Sequence, residues 1–167
     1  VLTAGHVCDS KPTKLVKQYN QTLKVIDYNG LTHQAWPFHV THNDKKGSID
    51  ACVLLVPSLR APRVRVSKKP PNVGDSLYYL GAPAGIHHPP SALIFSGIFS
   101  GELDLSSSLI TAPAIGGSSG SGIFNHKNRI VGIVWGANPF FHHATVMTRY
   151  DSFINFLNQA SMRLKKN

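Results

Sequence analysis

The sequence is poor in acidic side chains. Eight Asp and Glu residues stand against 17 Lys and Arg residues, so the 167-residue chain carries a formal net charge of +9. Such a charge fits a solvated basic surface, or attraction to nucleic acid, an anionic surface or acidic substrates. The basic residues are scattered, with only short clusters such as Lys45-Lys46, Lys68-Lys69 and Arg163 to Lys166. This scatter argues against a dedicated nucleic-acid site, although net charge alone does not exclude one.

Cysteines and long apolar runs are also scarce. Cys8 and Cys52 could form at most one disulfide, which excludes a disulfide-stapled framework, and we expect both to be small buried residues. No apolar run approaches the roughly 18 to 20 residues of a membrane-spanning helix, so we expect no membrane span. The chain begins at Val1 without a visible signal peptide, and we interpret it as a fragment or a processed product.

The histidines lack the spacing of a metal site. Six of them are outside any motif considered below, and none follows a pattern such as H-E-x-x-H: His33, His39, His42, His87, His88 and His126. We therefore expect neither a metal ion nor another cofactor.

Short apolar runs separated by turn residues predict an all-β architecture. The chain has 11 Pro and 14 Gly residues, and Asn29-Gly30 is typical of a type I′ hairpin turn. The predicted strands run from Lys14 to Tyr19, Leu23 to Tyr28, Leu31 to about Trp36, Phe38 to His42, Ile49 to Val56, Ser76 to Leu80, Ala92 to Phe99, Leu109 to Thr111, Gly122 to Phe124, Ile130 to Trp135 and Ala144 to Thr148.

The C-terminal segment has a different periodicity. Tyr150, Phe153, Ile154 and Leu157 recur at helical spacing, and Asp151 is a suitable N-cap, so a helix is predicted from Asp151 to about Leu164. The proline-rich and basic stretch 57–75 is the best candidate for a linker. The predicted units are therefore residues 1–56, a linker at 57–75, a second β unit at 76–150, and a helix with its tail at 151–167.

Three polar residues occur in contexts that favour nucleophilic catalysis. His6 follows the end of a strand, Asp50 begins an apolar strand, and Ser119 lies in the loop Gly116-Gly117-Ser118-Ser119-Gly120-Ser121-Gly122. A serine hydroxyl needs a base to remove its proton, and the base needs a third group to orient it. A small-residue loop on a β scaffold can also direct several backbone N–H groups at one point.

These motifs resemble those of trypsin-like serine proteases of the chymotrypsin fold, in the PA clan. Leu2-Thr3-Ala4-Gly5-His6-Val7 is similar to the histidine motif, Asp50-Ala51-Cys52-Val53-Leu54-Leu55 to the aspartate strand, and Gly117-Ser118-Ser119-Gly120-Ser121-Gly122 to the serine motif. In the second half, Val73 to Gly85 resembles the Deg-type branch and related viral serine proteases. The resemblance implies a double β-barrel whose first barrel lacks its N-terminal strands, since only five residues precede His6.

The resemblance also implies the roles of individual residues. Ser119 would attack a peptide carbonyl, His6 and Asp50 would complete the triad, and the N–H groups of Gly117 and Ser119 would hold the oxyanion. Ser119 is preferred as the nucleophile because it has glycine two residues before it and directly after it. The family register places the substrate pocket at Pro113, Ala114, Ile115, Val134, Trp135, Gly136 and Thr145.

The substrate preference and the function class have open alternatives. Pro113 lies where an acid selects basic residues in trypsin, so an uncharged P1 residue on a polypeptide substrate fits better than Lys or Arg. A rival is an acidic or Gln P1 residue bound by His142 or His143. The alternatives to a serine endopeptidase are a catalytically inactive protease-like binding module and a basic nucleic-acid-binding domain.

Overall fold

The protein consists mainly of two antiparallel β units and one long helix. The computed structural model describes residues 1–8, 23–44, 46–141 and 143–166. Among these residues, the first unit is a four-stranded sheet in the order β1-β4-β3-β2. Its strands are β1 (Leu2–Thr3), β2 (Leu23–Ile26), β3 (Thr32–Thr41) and β4 (Ala51–Leu55). The predicted strand from Lys14 to Tyr19 lies outside the described residues.

The second unit is a closed barrel of six strands. The strands are β6 (Ser76–Gly81), β7 (Leu93–Glu102), β8 (Ser107–Ile110), β9 (Gly122–Asn125), β10 (Arg129–Ala137) and β11 (Thr145–Thr148). The order is β11-β8-β7-β6-β9-β10, and pairing of β10 with β11 closes the barrel. A short strand β5 (Arg65–Val66) pairs in parallel with the start of β10. The predicted all-β fold, with an incomplete first barrel and a C-terminal helix, is confirmed.

Pro37 affects the pairing of the longest strand in the first sheet. The sequence left open whether the strand continues past this proline; β3 does run through it, and the register to β4 shifts between Pro37 and His39. Proline has no N–H to donate to the ladder, so a bulge is the expected way to keep it in a strand. The strand therefore continues with an irregularity instead of ending.

The helix α2 (Tyr150–Lys166) joins the two β units through an apolar face. Phe153, Phe156 and Ala160 are buried on it, at the spacing of successive helical turns. The predicted face of Tyr150, Phe153, Ile154 and Leu157 omitted the last two of these buried residues. Asp151 lies in the first turn of the helix, and the N-cap position is occupied by Arg149, so the predicted N-cap is corrected by two positions.

One hydrophobic cluster connects the helix to both sheets. Its buried members come from the β4 region, from β10 and from the helix: Ile49, Ala51, Ile130, Ile133, Phe153 and Phe156. The barrel encloses a separate core that includes Leu77 and Tyr79, and a third, smaller cluster lies in the first sheet around Ala35 and Leu54. Because the helix belongs to the shared cluster, it ties the open sheet to the closed barrel.

The two cysteines form a disulfide that crosses the first sheet. Cys8, at the end of the short helix α1 (Gly5–Cys8), is bonded to Cys52 on β4 over a Cα–Cα distance of 6.4 Å. Cys52 is buried as expected, but Cys8 is only partly buried, so the expectation of two small packing residues is corrected. The residues are 44 positions apart, and only the pairing of β1 with β4 brings them together.

No helix within the described residues has the length and hydropathy needed to cross a membrane.

Candidate active site

The short helix α1 and the start of β4 bring a histidine and an aspartate together. Asp50 Oδ2 lies 2.5 Å from His6 Nδ1, and Asp50 Oδ1 accepts the backbone N–H of His6 at 2.7 Å. Asp50 is 7% exposed, so these two bonds supply the partners that a buried carboxylate needs. In the tautomer that donates from Nδ1 to this carboxylate, the ring of His6 has its lone pair at Nε2. The His6 side chain is about half exposed, with 48% of its surface accessible.

A second histidine approaches the same carboxylate. His42 Nδ1 lies 3.9 Å from Asp50 Oδ1, whereas the His6 ring contacts the other carboxylate oxygen, Oδ2. Its side chain is 34% exposed. No local sequence motif relates His42 to Asp50, so the sequence predicted no functional role for this histidine. Its position follows from the pairing of β3 with β4, which aligns Thr41 with Ala51.

The glycine-serine loop lies between β8 and β9 and packs against the segment that leads into His6. Gly120 has φ +87°, and a Cβ atom there would come within 2.8 Å of Thr3 Cα and 2.9 Å of Ala4 N. A side chain at this position would therefore be strained and would also push the two segments apart. The absence of a side chain allows the residue after Ser119 to pack against the residues just before His6.

From Gly117 to Gly120, the backbone N–H groups of this loop alternate between unpaired and paired within the described chain. Ser118 N–H donates to Ile115 O at 3.0 Å and Gly120 N–H donates to Val134 O at 2.7 Å. Within the described chain, the N–H groups of Gly117 and Ser119 have no hydrogen-bond acceptor. Two free donors from alternate residues of one tight loop are what an anion-binding concavity requires.

A neighbouring turn sets the orientation of the Gly116–Gly117 peptide. Ala84 N–H donates to Gly116 O at 2.6 Å, and Gly117 itself has φ +93° and lies against Ala82 to Gly85. The C=O and N–H of one trans peptide point in opposite directions. The N–H of Gly117 is therefore directed away from this turn and remains available to a ligand.

The three serines of the loop have different environments. Ser118 is 1% exposed, and its Oγ lies 3.4 Å from Tyr79 Oη and accepts Ile115 N–H at 3.4 Å. The Oγ of Ser121 lies next to Gly81, where it would be 2.6 Å from an added Cβ. Ser119 is partly exposed and lines a cavity. Ser121 is partly exposed as well, so it is the lining of this cavity that distinguishes Ser119 from it.

The cavity beside Ser119 has a volume of about 370 Å³. Its walls are small and uncharged, and they consist of Ala114, Ile115, Gly116, Ser119, Val134, Gly136, Ala137, Asn138 and Pro139. The described chain also has a larger apolar cavity of about 680 Å³ between the first sheet, residues 56–66 and the helix, but it contains none of His6, Asp50 and Ser119. The smaller cavity is therefore the one relevant to the chemistry of Ser119.

Not every residue predicted to line the substrate pocket contacts this cavity. Ala114, Ile115, Val134 and Gly136 do, whereas Pro113, Trp135 and Thr145 are not among its lining residues. Pro113 O accepts the Tyr79 hydroxyl at 2.5 Å, and Thr145 Oγ1 donates to Ala112 O at 2.5 Å. Both residues thus support the cavity wall from behind. Burial raises the pKa of the Tyr79 phenol, which keeps it a hydrogen-bond donor.

The structure describes one of the two residues of the predicted histidine alternative. His142 is outside the described residues. His143 is exposed, and its ring packs edge-on against Phe141 at 6.3 Å. It does not line the cavity beside Ser119. By contrast, Ala137, Asn138 and Pro139 line the cavity although the sequence analysis did not include them.

The comparison with known families identifies the chain. The profile of the trypsin-like peptidase domain matches residues 1–133, most of the chain. This chain belongs to the trypsin-like peptidase family. A comparison with curated proteins finds no match for it.

Solved structures show that this trypsin-like peptidase domain shares its fold with bacterial proteases. A serine endoprotease from Yersinia pestis superposes with a TM-score of 0.76 at 17% identity, over 95% of this chain and 52% of that one. The active form of the Rv3671c protease from M. tuberculosis has a TM-score of 0.72 at 18% identity, over 94% and 67%. The HtrA-type protease AlgW, with a decapeptide, has a TM-score of 0.74 at 16% identity, over 98% and 48%. The chain thus spans about half the length of the Yersinia protease.

Proposed function

We propose that this chain is the catalytic domain of a serine endopeptidase that uses His6, Asp50 and Ser119 as its triad. The observation that carries the proposal is the His6–Asp50 pair, formed next to a loop in which Ser119 lines a cavity and the N–H groups of Gly117 and Ser119 are unpaired within the described chain. Membership of the trypsin-like peptidase family supports the same chemistry. The substrate is a polypeptide, as membership of a peptidase family implies, and its scissile carbonyl is the group that the loop N–H groups would polarise.

The proposed reaction is acyl transfer in two steps. His6 Nε2 takes the proton of Ser119 Oγ as that oxygen attacks the scissile carbonyl, and Asp50 stabilises the imidazolium that forms. The N–H groups of Gly117 and Ser119 hold the oxyanion. The imidazolium then protonates the leaving amine, and the C–N bond breaks to leave an acyl-enzyme on Ser119.

Water completes the cycle. His6 removes a proton from a water molecule, which attacks the ester carbonyl and forms a second oxyanion in the same site. Collapse of this intermediate returns the proton to Ser119 Oγ and releases the carboxylic acid product. Each proton that leaves a nucleophile is thus returned to a leaving group through one ring nitrogen of His6.

An uncharged P1 side chain fits the proposed substrate pocket. The lining of the cavity beside Ser119 includes no charged residue, and its only side-chain amide belongs to Asn138. A charged P1 group would lose its hydration there without an opposite charge to pair with. A peptide series that varies only at P1 tests this, with the highest kcat/KM expected for small or medium apolar residues. Efficient cleavage after Lys, or after Glu, would overturn the pocket assignment while leaving the triad proposal intact.

Labelling with a fluorophosphonate probe tests the nucleophile. The probe is expected to modify the unaltered chain and to give no signal with Ser119→Ala. Ser121→Ala is the matched control, because it removes a hydroxyl from the same loop and should retain labelling. Loss of labelling in Ser121→Ala but not in Ser119→Ala would reject the assignment of the nucleophile. No labelling of the folded, unaltered chain would instead favour a protease-like binding module.

A further inference from the structure

We propose that a basic cleft on the second β unit binds the phosphate backbone of a single-stranded nucleic acid. The cleft has a volume of about 580 Å³ and lies between the segment after β5 and the turn that joins β9 to β10. Its cationic lining residues are Lys68, Lys69, Lys127 and Arg129, and His126 lies beside them. It shares no lining residue with the cavity next to Ser119.

Strand pairing concentrates these charges in one place. In the sequence, Lys68 and Lys69 are far from Lys127 and Arg129. The parallel pairing of β5 with the start of β10 brings the two groups together. This pairing aligns Arg65 with Arg129, and so adds a fifth cation at the edge of the cleft. Like charges held side by side repel each other, so the arrangement lowers the stability of the free protein and favours an anionic ligand.

The cleft contains little negative charge to offset these cations. Asp75 is its one acidic lining residue, and its carboxylate already accepts the backbone N–H of Asn72 at 2.8 Å. In the part of the chain that the structure describes, Arg149 is the only Lys or Arg residue in an ion pair. The five cations of the cleft therefore have no carboxylate partner within the described residues.

The backbone around the cleft is fixed by hydrogen bonds before any ligand binds. Ser67 is buried, its N–H donates to Ile130 O at 2.9 Å, and its C=O accepts the Tyr150 hydroxyl at 2.9 Å. On the other side, Asn125 Oδ1 accepts the N–H groups of Lys127 at 3.0 Å and Arg129 at 3.2 Å. The two sides thus present their side chains from rigid loops, which reduces the entropy that a ligand must remove on binding.

The chemistry of the lining favours a polyanionic strand over other partners. Apart from Pro70 and Pro71, the lining residues are polar or charged, so the cleft does not suit an apolar peptide. A concave site presents its cations to a strand that enters it, whereas a flat bilayer surface contacts protruding groups. Nucleic acid carries a phosphate at every nucleotide, and proteins bind single strands without sequence preference in such positively charged grooves. No Phe, Tyr or Trp ring lines the cleft, and the ring of His126 is the one surface there on which a base could stack, which makes backbone binding its main mode.

Binding of a fluorescein-labelled oligonucleotide of about 20 nucleotides tests the proposal. The test variant is the triple substitution Lys68→Gln, Lys69→Gln and Lys127→Gln. The matched control is Lys24→Gln, Lys165→Gln and Lys166→Gln, which removes the same charge from exposed positions outside the cleft. Fluorescence anisotropy is measured with the 167-residue chain from about 50 to 200 mM salt, and thermal unfolding verifies that both variants remain folded.

The cleft variant is expected to weaken binding at least about tenfold and to reduce the slope of log Kd against log salt by about two. The control variant is expected to change the affinity no more than about threefold, as a net-charge effect alone would. Equal losses in the two variants would overturn the proposal, as would the absence of binding at the lowest salt. Tighter binding of poly-glutamate, or of vesicles containing anionic lipid, than of the oligonucleotide would also overturn it, in favour of an acidic peptide or a membrane surface.

Discussion

The two β units of this peptidase domain differ in how completely their strands pair the backbone hydrogen-bonding groups. The six-stranded barrel closes on itself, since β11 pairs with both β8 and β10. The first sheet has four strands in the described residues, with β1 and β2 at its edges. A closed barrel has no edge strand, whereas an open sheet depends on neighbouring structure for the stability of its edges. The proposed base and acid, His6 and Asp50, therefore lie on the open unit, whose edges depend on neighbouring structure for their stability.

Interactions outside the sheet ladder compensate for the open edges. The Cys8–Cys52 disulfide joins the helix that carries His6 to the strand that follows Asp50. On the other side, the ring of Phe156 stacks on His39 at 4.8 Å. The guanidinium of Arg163 lies 5.5 Å from the ring of Phe38. The closed barrel thus carries Ser119, while a crosslink and a helix stabilise the unit that contains His6 and Asp50, its proposed partners.

The largest expected effect comes from breaking the His6–Asp50 pair in the open sheet. Asp50→Asn keeps the size of the side chain but removes the charge that stabilises the imidazolium, so we expect kcat/KM for a peptide substrate to fall by about 10⁴. Initial rates over a range of substrate concentrations measure this loss. Asp44→Asn, in an exposed loop, is the control and should retain full activity. A loss below about tenfold in Asp50→Asn would contradict the proposed triad.

Phe156→Ala tests whether the helix stabilises both units. Phe156 is 3% exposed in the cluster shared by the sheet, the barrel and the helix, so its truncation should lower the free energy of unfolding by about 3–5 kcal/mol. Trp36 on β3 and Trp135 on β10 provide one fluorescent reporter for each unit. In urea titrations of the Trp36→Phe and Trp135→Phe backgrounds, both midpoints should fall together. A shift of one midpoint alone would show that the helix supports only that unit.

Removal of the disulfide should instead change the stability of the two units unequally. The Cys8→Ala, Cys52→Ala double variant is expected to lose about 2–4 kcal/mol of stability, because the crosslink closes a long loop of the unfolded chain. The bond joins α1 to β4, both in the first β unit, so the urea midpoint reported by Trp36 should fall more than that reported by Trp135. Equal shifts of the two midpoints would contradict an independent role of the disulfide in the open sheet. Reductant added to the unaltered chain should reproduce the effect of the double variant.

The smallest expected effect concerns His39, where the open sheet meets the helix. Burial, and secondarily the charge of Arg163, lower the pKa of His39 below its usual value of 6.5. The unfolded chain therefore takes up a proton before the folded one does, and stability falls as the pH drops below about 6.5 towards the folded pKa.

His39→Phe should reduce this pH dependence. The phenyl ring can keep the stack on Phe156 but does not titrate, so the loss of stability between about pH 6.5 and 5 should become smaller. Urea midpoints of both proteins across this range measure the difference. Parallel pH profiles would show that other groups cause the acid sensitivity. The lowered pKa values of Asp27 and Asp104 act below about pH 4, outside this window.

Local patterns were sufficient to predict most strands and the helix. Alternating apolar residues, the Asn29-Gly30 turn and the helical spacing around Phe153 each depend on a few neighbouring residues, and local conformational preference acts on the same scale. The boundaries were less accurate, because they depend on partners. β3 passes through Pro37 since a bulge accommodates the proline, and the helix begins one residue early at Tyr150.

The candidate site was partly accessible from sequence. The residue types and order around His6, Asp50 and Ser119 are local features, and their catalytic roles stay predictions until the variants are measured. The contact of His42 with Asp50 was not accessible, because it depends on the register between β3 and β4. The lining of the cavity by Ala137 to Pro139 likewise depends on where β10 ends in space.

The sequence by itself determined which groups are available for catalysis. They are a serine in a glycine-serine loop, one histidine after a strand and one acid in an apolar strand. Only the tertiary structure decided which distant groups meet. It joined Cys8 to Cys52, left the N–H groups of Gly117 and Ser119 unpaired within the described chain, and placed Lys68 beside Lys127 in one cleft. The physical reason is that conformational preference acts over a few residues, whereas these juxtapositions depend on strand register and loop closure over 44 residues and more.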